Sequence, residues 1–335
     1  MKVDAGLDAT LAEVPARIAE LEERGFDAAI TTETSHEPFF PLLLAAEHSR
    51  RIELMTSIVV AFARNPMTTA IAAHDLQAYS RGRFLLGLGS QIKPHITKRF
   101  SMPWSHPAAR MREFILALRA IWANWYSGEA LDFRGEFYTH TLMTPFFTPT
   151  DTQHGAPKVI LAAVGPLMTE VAAEVADGMI AHGFTTRAYM EQVTLPSIER
   201  GLAKGGRRRE DFQFCYPAFV VSGRTAEEMG ATRRAVCKQI AFYGSTPAYR
   251  GVLEIHGWGE LQDELNAMSK RGLWDEMGER IGDEVLREFA VVAEPDELAG
   301  ALLARFGGMV DRVVLGLPFL GADQQASVLA RLKSA

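Results

Sequence analysis

Cysteine is scarce in this chain, which has only Cys215 and Cys237 among its 335 residues. Two cysteines so far apart form neither a disulfide framework nor a Cys-x-x-Cys motif, and such usage is typical of a reduced, intracellular protein. The sequence also has no His-Glu-x-x-His pair, so no motif supports a metal site. We therefore expect a cytoplasmic protein with no bound metal.

The chain also has no excess of positive charge and no long apolar run. Lys and Arg total 35 against 41 Asp and Glu, and the net charge is −6, which argues against a general affinity for nucleic acid or for anionic membranes. The longest apolar run, around residues 38–46, is too short to span a bilayer, and the first residues lack the apolar core of a signal peptide. The absence of a Gly-x-Ser-x-Gly elbow and of a P-loop removes two further enzyme classes.

What the chain does contain is an alternation of short apolar runs and amphipathic helical patterns. Residues 53–61 and 84–88 are two such runs. Between them Asn65 and Pro66 supply a helix N-cap and a first-turn proline, and the helical pattern then extends to Tyr79. Apolar strands that alternate with helices predict a parallel sheet that is buried on both faces.

The alternation repeats eight times, and eight is the number of strands that closes a barrel. The predicted strands cover residues 2–6, 27–32, 53–61, 84–88, 158–164, 178–182, 212–222 and 312–317. We predict an α/β fold of the (β/α)8 TIM-barrel type, in one domain over residues 1–335. Insertions of about residues 128–157 and 243–289 follow the fourth helix and separate strands seven and eight. An open, doubly wound sheet is the alternative.

Several helix boundaries have local signals. Thr10 with Glu13, and Thr225 with Glu228, form capping boxes that predict helix starts. Residues 105–126 carry a continuous apolar stripe at helical spacing. Residues 185–204 predict a helix that bends at Pro196.

In a barrel of this kind the active site lies at the carboxyl ends of the strands. That rule selects residues at the ends of the predicted strands: Glu33, Thr34, His36, Phe62, Arg64, Gly89, Ser90, Gln91, Lys93, His95, Gly165, Pro166, His182 and Phe184. Strand seven adds Tyr216 or the Ser222 end, depending on its register. The segment GLGSQI resembles the start of a dinucleotide fingerprint, but Ile92 occupies the position of its third glycine. We therefore do not predict a dinucleotide site there.

Five segments, in order and at barrel spacing, resemble the bacterial-luciferase-like superfamily of barrel oxidoreductases. They are GFDAAITTE (residues 25–33), TSIVVAFARNP (56–66), SRGRFLLGLGS (80–90), AAVGP (162–166) and ADGMI (176–180). The branch that they resemble most uses the deazaflavin coenzyme F420. The resemblance covers nearly the whole chain.

The resemblance implies a flat flavin or deazaflavin ring over the strand ends, backed by a cis non-prolyl peptide bond at Ser57–Ile58. It also implies a set of cofactor-binding residues, among which the turn 164–168 holds a phosphate. These are Glu33, Ser57, Ile58, Val60, Ser90, Lys93, Val164, Gly165, Pro166, Leu167 and Met168.

One departure from the family limits the activity that can be transferred. The sugar-phosphate dehydrogenases of this family have Asp-His where this chain has Glu33-Thr34, and they place a carboxylate near Ser90. Their proposed base and acid are therefore missing. Glu33, His36 and His95 are the candidate catalytic residues that remain, since histidine is the usual proton carrier near neutral pH.

The resemblance predicts hydride transfer between F420 and a small organic substrate. An FMN-dependent monooxygenase that uses reduced flavin and O2 is the alternative, and a non-catalytic flavin-binding barrel is a third reading. The family also implies a homodimer built through the early helices, and a flavin or F420 reductase is a possible partner. The second insertion suits either a lid over the substrate or a dimer arm.

Overall fold

A computed structural model describes residues 1–334 of the chain. Its strands are short and mostly buried, as the apolar runs predict. They are β1 (Lys2–Gly6), β2 (Ala28–Thr31), β3 (Glu53–Thr56), β4 (Val59–Val60), β5 (Phe84–Gly89), β6 (Phe133–Arg134), β7 (Thr139–His140), β8 (Lys158–Ala163), β9 (Gly178–Ala181), β10 (Gln213–Pro217), β11 (Phe219–Val221), β12 (Ala290–Val292) and β13 (Arg312–Val314).

Eight of these strands close into a barrel. Hydrogen-bonded neighbours follow the order β3-β2-β1-β13-β10-β9-β8-β5, and β5 pairs again with β3. The pairings of β1 with β2, of β3 with β5 and of β5 with β8 are parallel. The predicted (β/α)8 barrel is therefore confirmed, and the open doubly wound sheet is wrong because no strand of the eight is left at an edge.

The helices alternate with the strands. They are α1 (Val14–Glu23), α2 (Phe39–Glu47), α3 (Pro66–Tyr79), α4 (Pro107–Ser127), α5 (Gly165–Val175), α6 (Arg187–Tyr189), α7 (Leu195–Gly205), α8 (Ala226–Gly244), α9 (Arg250–Glu254), α10 (Gly259–Lys270), α11 (Asp283–Phe289), α12 (Leu298–Phe306) and α13 (Ala322–Ser334). Within residues 1–334 no helix has both the length and the apolar composition to cross a membrane.

The chain divides into two compact units. The first consists of Asp4–Ile180 with Ser197–Phe214, and its core includes the α4 stripe of Phe114, Leu118 and Trp122. The second consists of Met1–Val3, Ala181–Pro196 and the chain from Cys215 onwards. The prediction of a single domain stays a prediction.

The two insertions are attached to the barrel by different contacts. In the first insertion, Asp151 lies 3.0 Å from Nε2 of His74 on α3, whose Nδ1 is 2.7 Å from the hydroxyl of Tyr126 on α4. In the second, Val252, Leu265 and Phe289 are buried with residues of α8 in one hydrophobic cluster. The second insertion is therefore packed as a helical part of its own unit.

Two local predictions hold only in part. The Glu13 carboxylate accepts the Thr10 N–H at 2.9 Å, as a capping box requires. However, Thr10 Oγ1 donates to the same carboxylate at 2.7 Å instead of accepting the Glu13 N–H, and α1 starts at Val14. The predicted seventh strand, residues 212–222, is divided into β10 and β11. β10 pairs with β13 in the barrel, whereas β11 pairs with β12 in a separate two-stranded sheet. In contrast, Thr225 Oγ1 accepts the Glu228 N–H at 3.2 Å and α8 begins as predicted.

The predicted helix at 185–204 is interrupted by a π-helical turn at Met190–Thr194. Pro196 lies two residues after this turn, and proline has no N–H and clashes with the carbonyl four residues earlier. The wider π turn accommodates that lost hydrogen bond.

Candidate active site

Glu33 joins two segments that follow neighbouring strands. Its Oε2 accepts the backbone N–H of Val60 at 2.7 Å, and its Oε1 accepts a hydrogen bond from the Arg64 guanidinium at 3.0 Å. Its own N–H donates to the carbonyl of Ile58 at 3.3 Å. The side chain is only 11% exposed. Glu33 therefore fixes the loop after β2 to the chain that follows β3.

Arg64 reinforces this connection. The same Nη2 also contacts Glu37 at 2.9 Å, and the guanidinium lies 5.7 Å from the centre of the Phe39 ring. Charge-assisted hydrogen bonds of this kind are among the stronger side-chain interactions. Both oxygens of Glu33 are thus occupied by donors, so its observed contacts are those of an anchor. A proton-transfer role for Glu33 stays a prediction.

The peptide bond between Ser57 and Ile58 is cis, as the resemblance predicts. The Ser57 N–H donates to the carbonyl of Thr31 at 2.6 Å. The cis bond separates β3 from β4, and β4 then pairs with the end of β5, where Val60 lies opposite Gly89. The predicted cofactor residues Ser57, Ile58 and Val60 therefore lie together on one fixed backbone segment.

Two glycines of β5 make room for this segment. A Cβ on Gly87 would lie 1.6 Å from the carbonyl oxygen of Thr56, and a Cβ on Gly89 would lie 2.8 Å from Cγ1 of Ile58. Contacts that short do not occur, so both positions require glycine for packing. The two glycines of the GLGS segment are thus explained by the neighbouring strand, and the absence of a dinucleotide site there stays a prediction.

Three predicted residues follow β5. The Ser90 hydroxyl is half-buried and donates to the carbonyl of Gln91 at 3.1 Å. Lys93 and His95 are exposed, and His95 begins a π-helical turn that ends at Arg99. Arg99 donates to the carbonyl of Thr34. That hydrogen bond brings the segment after β5 to the loop that carries Glu33 and His36.

The turn after β8 supplies exposed backbone donors. Val164 is the N-cap residue of α5, but no side chain caps the helix. Gly165 has a φ of +74°, and a Cβ on it would meet no atom within 4 Å, while Leu167 is 70% exposed. The free N–H groups at such a helix start attract anions. The turn Val164–Met168 therefore presents free N–H groups beside exposed apolar side chains, and its role in binding a phosphate stays a prediction.

His36 lies on a separate feature of the same unit. It is exposed and lines an open groove of about 740 Å³ formed by the loops that follow β1 and β2. The groove has acidic members, Asp8 and Glu37, and apolar ones, Leu11 and Phe40. His36 is thus open to solvent, and its role as a proton carrier stays a prediction.

Sequence reasoning placed Arg64 at the strand ends but did not connect it to Glu33 or Glu37. Those contacts span 31 and 27 positions along the chain, so no local pattern reports them. Nor does any local pattern report the tyrosine rings that surround His182. Among residues 1–334, no group of three or more His, Cys, Asp or Glu side chains is arranged to hold a metal ion.

Comparison with known proteins identifies the family. A family model described as luciferase-like monooxygenase matches residues 2–312. A Mycobacterium tuberculosis protein named "Uncharacterized protein Rv1360" is 53% identical over 333 residues, which is 99% of this chain and 97% of that protein. An F420-dependent glucose-6-phosphate dehydrogenase from Intrasporangium calvum is 29% identical over 57% of this chain and 59% of that protein.

Among solved structures, the coenzyme F420 dependent tetrahydromethanopterin reductase from Methanopyrus kandleri matches with a TM-score of 0.78. The match covers 99% of this chain and 96% of that chain at 20% identity. At that identity the likeness supports the fold, which agrees with the strand order found here.

Proposed function

This chain belongs to the luciferase-like monooxygenase family, and within it we propose that the protein is an F420-dependent oxidoreductase acting on a small organic substrate. The observation that carries a phosphate-bearing cofactor is the uncapped start of α5, and the choice of F420 follows the F420-dependent relative from Intrasporangium calvum. Its free N–H groups, the positive φ of Gly165 and the exposed Val164 and Leu167 suit a cofactor with an anionic tail and an apolar ring.

The topology supports a second contact region for the ring. β4, β5 and β8 are consecutive parallel neighbours, with Val60 opposite Gly89 and Leu88 opposite Leu161. Their carboxyl ends therefore lie along one edge of the barrel. We propose that Ser57, Ile58 and Val60 contact the ring and that Glu33 keeps their backbone in position.

When bound, F420 supplies a carbon centre, C5, that donates or accepts a hydride. The chain would supply position, a dry surface and proton handling. We propose that His36, which is exposed in the 740 Å³ groove, carries the proton, and that Ser90, Lys93 and His95 face the cofactor or substrate. The cofactor-binding and catalytic assignments are proposals at each of these residues.

Glucose-6-phosphate oxidation is not proposed, although one relative is named for it. This chain has Glu33-Thr34 at the Asp-His position, and Glu33 is occupied by Val60 and Arg64. The family description favours a second candidate, an FMN-dependent monooxygenase, because the α5 turn suits the phosphate of FMN equally well. In that case a reductase partner would supply reduced flavin. A homodimer and a cytoplasmic location are also proposed.

The test is a calorimetric and fluorescence titration of cofactor-free protein with oxidised F420 and, separately, with FMN. We expect micromolar or tighter binding of F420 and at least about tenfold weaker binding of FMN, a free-energy difference of about 1.4 kcal/mol. The reverse preference would favour the monooxygenase, and oxygen consumption with reduced FMN would then be measured. Binding of neither cofactor would contradict the proposal.

A further inference from the structure

His182 follows β9 directly, and its ring orientation is set by the backbone. Its Nδ1 accepts the N–H of Phe184 at 3.0 Å. A neutral imidazole has one acceptor and one donor nitrogen, so the proton is on Nε2. Strand ends on this side of a barrel are where substrate-contacting residues lie. His182 therefore presents a defined N–H donor after β9.

Aromatic side chains enclose the imidazole. The Tyr249 ring stacks on it with centroids 4.6 Å apart and an interplanar angle of 25°, and Tyr243 meets it edge-on at 4.4 Å and 89°. Phe184 packs in turn against Tyr249 at 5.8 Å and against Phe289 at 4.5 Å. All of them belong to one compact unit. Phe184 and Phe289 are part of its hydrophobic cluster, and Tyr243 and Tyr249 pack against that cluster. The two tyrosines that enclose the imidazole are therefore supported by the core of their own unit.

The polar ends of these three rings are available. Among residues 1–334 no protein atom forms a hydrogen bond with His182 Nε2 or with the hydroxyls of Tyr243 and Tyr249. None of these three atoms is fully buried. Each of the three polar atoms therefore keeps contact with solvent and has a free hydrogen-bonding position. A donor that is already held in one orientation loses less conformational entropy when it binds an acceptor.

The imidazole is also uncharged. Burial lowers the pKa of His182 to about 4, with no charged neighbour contributing. At neutral pH the ring thus offers a hydrogen bond without a positive charge. Such a group favours an uncharged oxygen over a carboxylate or phosphate, because an anion brought into an aromatic site without a counter-charge loses its hydration without compensation.

We propose that His182 Nε2–H, together with the hydroxyls of Tyr243 and Tyr249, binds an uncharged carbonyl or hydroxyl oxygen of the substrate. The inference rests on the proposed function only in calling this ligand the substrate. Because the hydrogen bond is worth about 1 kcal/mol, its loss should weaken binding about fivefold. His182 is then a substrate-binding residue that selects neutral oxygen compounds.

The test uses three probes with the same ring: cyclohexanone, methylenecyclohexane and cyclohexanecarboxylate. Replacing C=O by C=CH2 changes little except the acceptor. Protein labelled with 15N-histidine reports the Nε2 resonance of His182 by NMR, and the shifts give affinities. The variants are His182→Phe, which keeps a ring in the stack, and Tyr249→Phe, which removes one hydroxyl. His48→Gln is the control, because His48 is exposed at the end of α2.

We expect cyclohexanone to shift the His182 Nε2 resonance and to bind about fivefold tighter than methylenecyclohexane in the native protein and in His48→Gln. His182→Phe should abolish that difference, and Tyr249→Phe should reduce it. Equal binding of the two probes, or a preference for the carboxylate, would overturn the proposal. If F420 does not bind but cyclohexanone still binds tighter than methylenecyclohexane, the proposed function is rejected and the oxygen-binding site is supported.

Discussion

Glu33 and Val60 are 27 positions apart in the chain, yet the carboxylate of the first accepts the backbone N–H of the second at 2.7 Å. This bond ties the loop after β2 to β4. Arg64 occupies the other carboxylate oxygen at 3.0 Å. The pair therefore determines where the backbone proposed to contact the cofactor ring lies.

Replacing Glu33 by glutamine tests this anchor. An amide has one acceptor atom, so either Val60 N–H or Arg64 must face its NH2 group. We expect the free energy of unfolding to fall by about 1–3 kcal/mol and F420 affinity to fall about tenfold. Chemical denaturation and cofactor titration measure the two effects. Glu199→Gln is the control, because Glu199 is exposed on α7; equal losses in both variants would reject an anchoring role.

Gly89→Ala tests the close approach of Ile58 to β5. The added methyl would lie 2.8 Å from Cγ1 of Ile58, so we expect a loss of about 1–3 kcal/mol of stability from overpacking. Combining it with Ile58→Ala removes the clashing atoms and should recover part of the loss. A double-mutant cycle by urea denaturation measures the coupling. Gly316→Ala, where no atom lies within 4 Å, should be close to neutral, and additive effects of the Gly89 and Ile58 changes would contradict the packing argument.

Gly165→Ala separates backbone strain from cofactor binding. Gly165 has a φ of +74° with open space around a Cβ, and Gly128 has a φ of +71° with the same open space. Alanine at either position should cost about 1 kcal/mol, because this backbone region favours glycine. Only Gly165→Ala should weaken binding of F420 or FMN, since only that residue starts α5. Equal cofactor affinity in the two variants would place the phosphate elsewhere.

The pKa of His182 predicts a specific pH dependence of stability. Burial lowers this pKa from 6.5 to about 4, so below pH 6.5 the unfolded chain gains a proton that the folded protein resists. The contribution of His182 to the free energy of unfolding is therefore constant above pH 6.5. It falls by up to about 3 kcal/mol as the pH drops from 6.5 to 4. His182→Phe should lack this component. Urea denaturation of both proteins from pH 4 to pH 8 measures it, and parallel pH profiles would show that the imidazole is not buried as described.

The helix and strand pattern was readable because it depends on neighbours in the chain. Asn65 caps α3 through its own side chain, accepting the Thr68 N–H at 3.0 Å, and the helix ends at Tyr79 as predicted. The strand that the cis bond divides is different: residues 53–61 look like one apolar run. The cis bond at Ser57–Ile58, which separates β3 from β4, was expected only from the family resemblance, and the division of the run into two strands was not predicted.

By itself, the sequence determined that apolar strands and amphipathic helices alternate eight times, because periodicity and capping act over a few residues. It also located the strand ends where a barrel places its site. Tertiary structure alone decided which side chains meet there. Glu33 with Arg64, and His182 with Tyr249, are separated by loops and whole elements, and contacts at such separations depend on packing that no local pattern encodes.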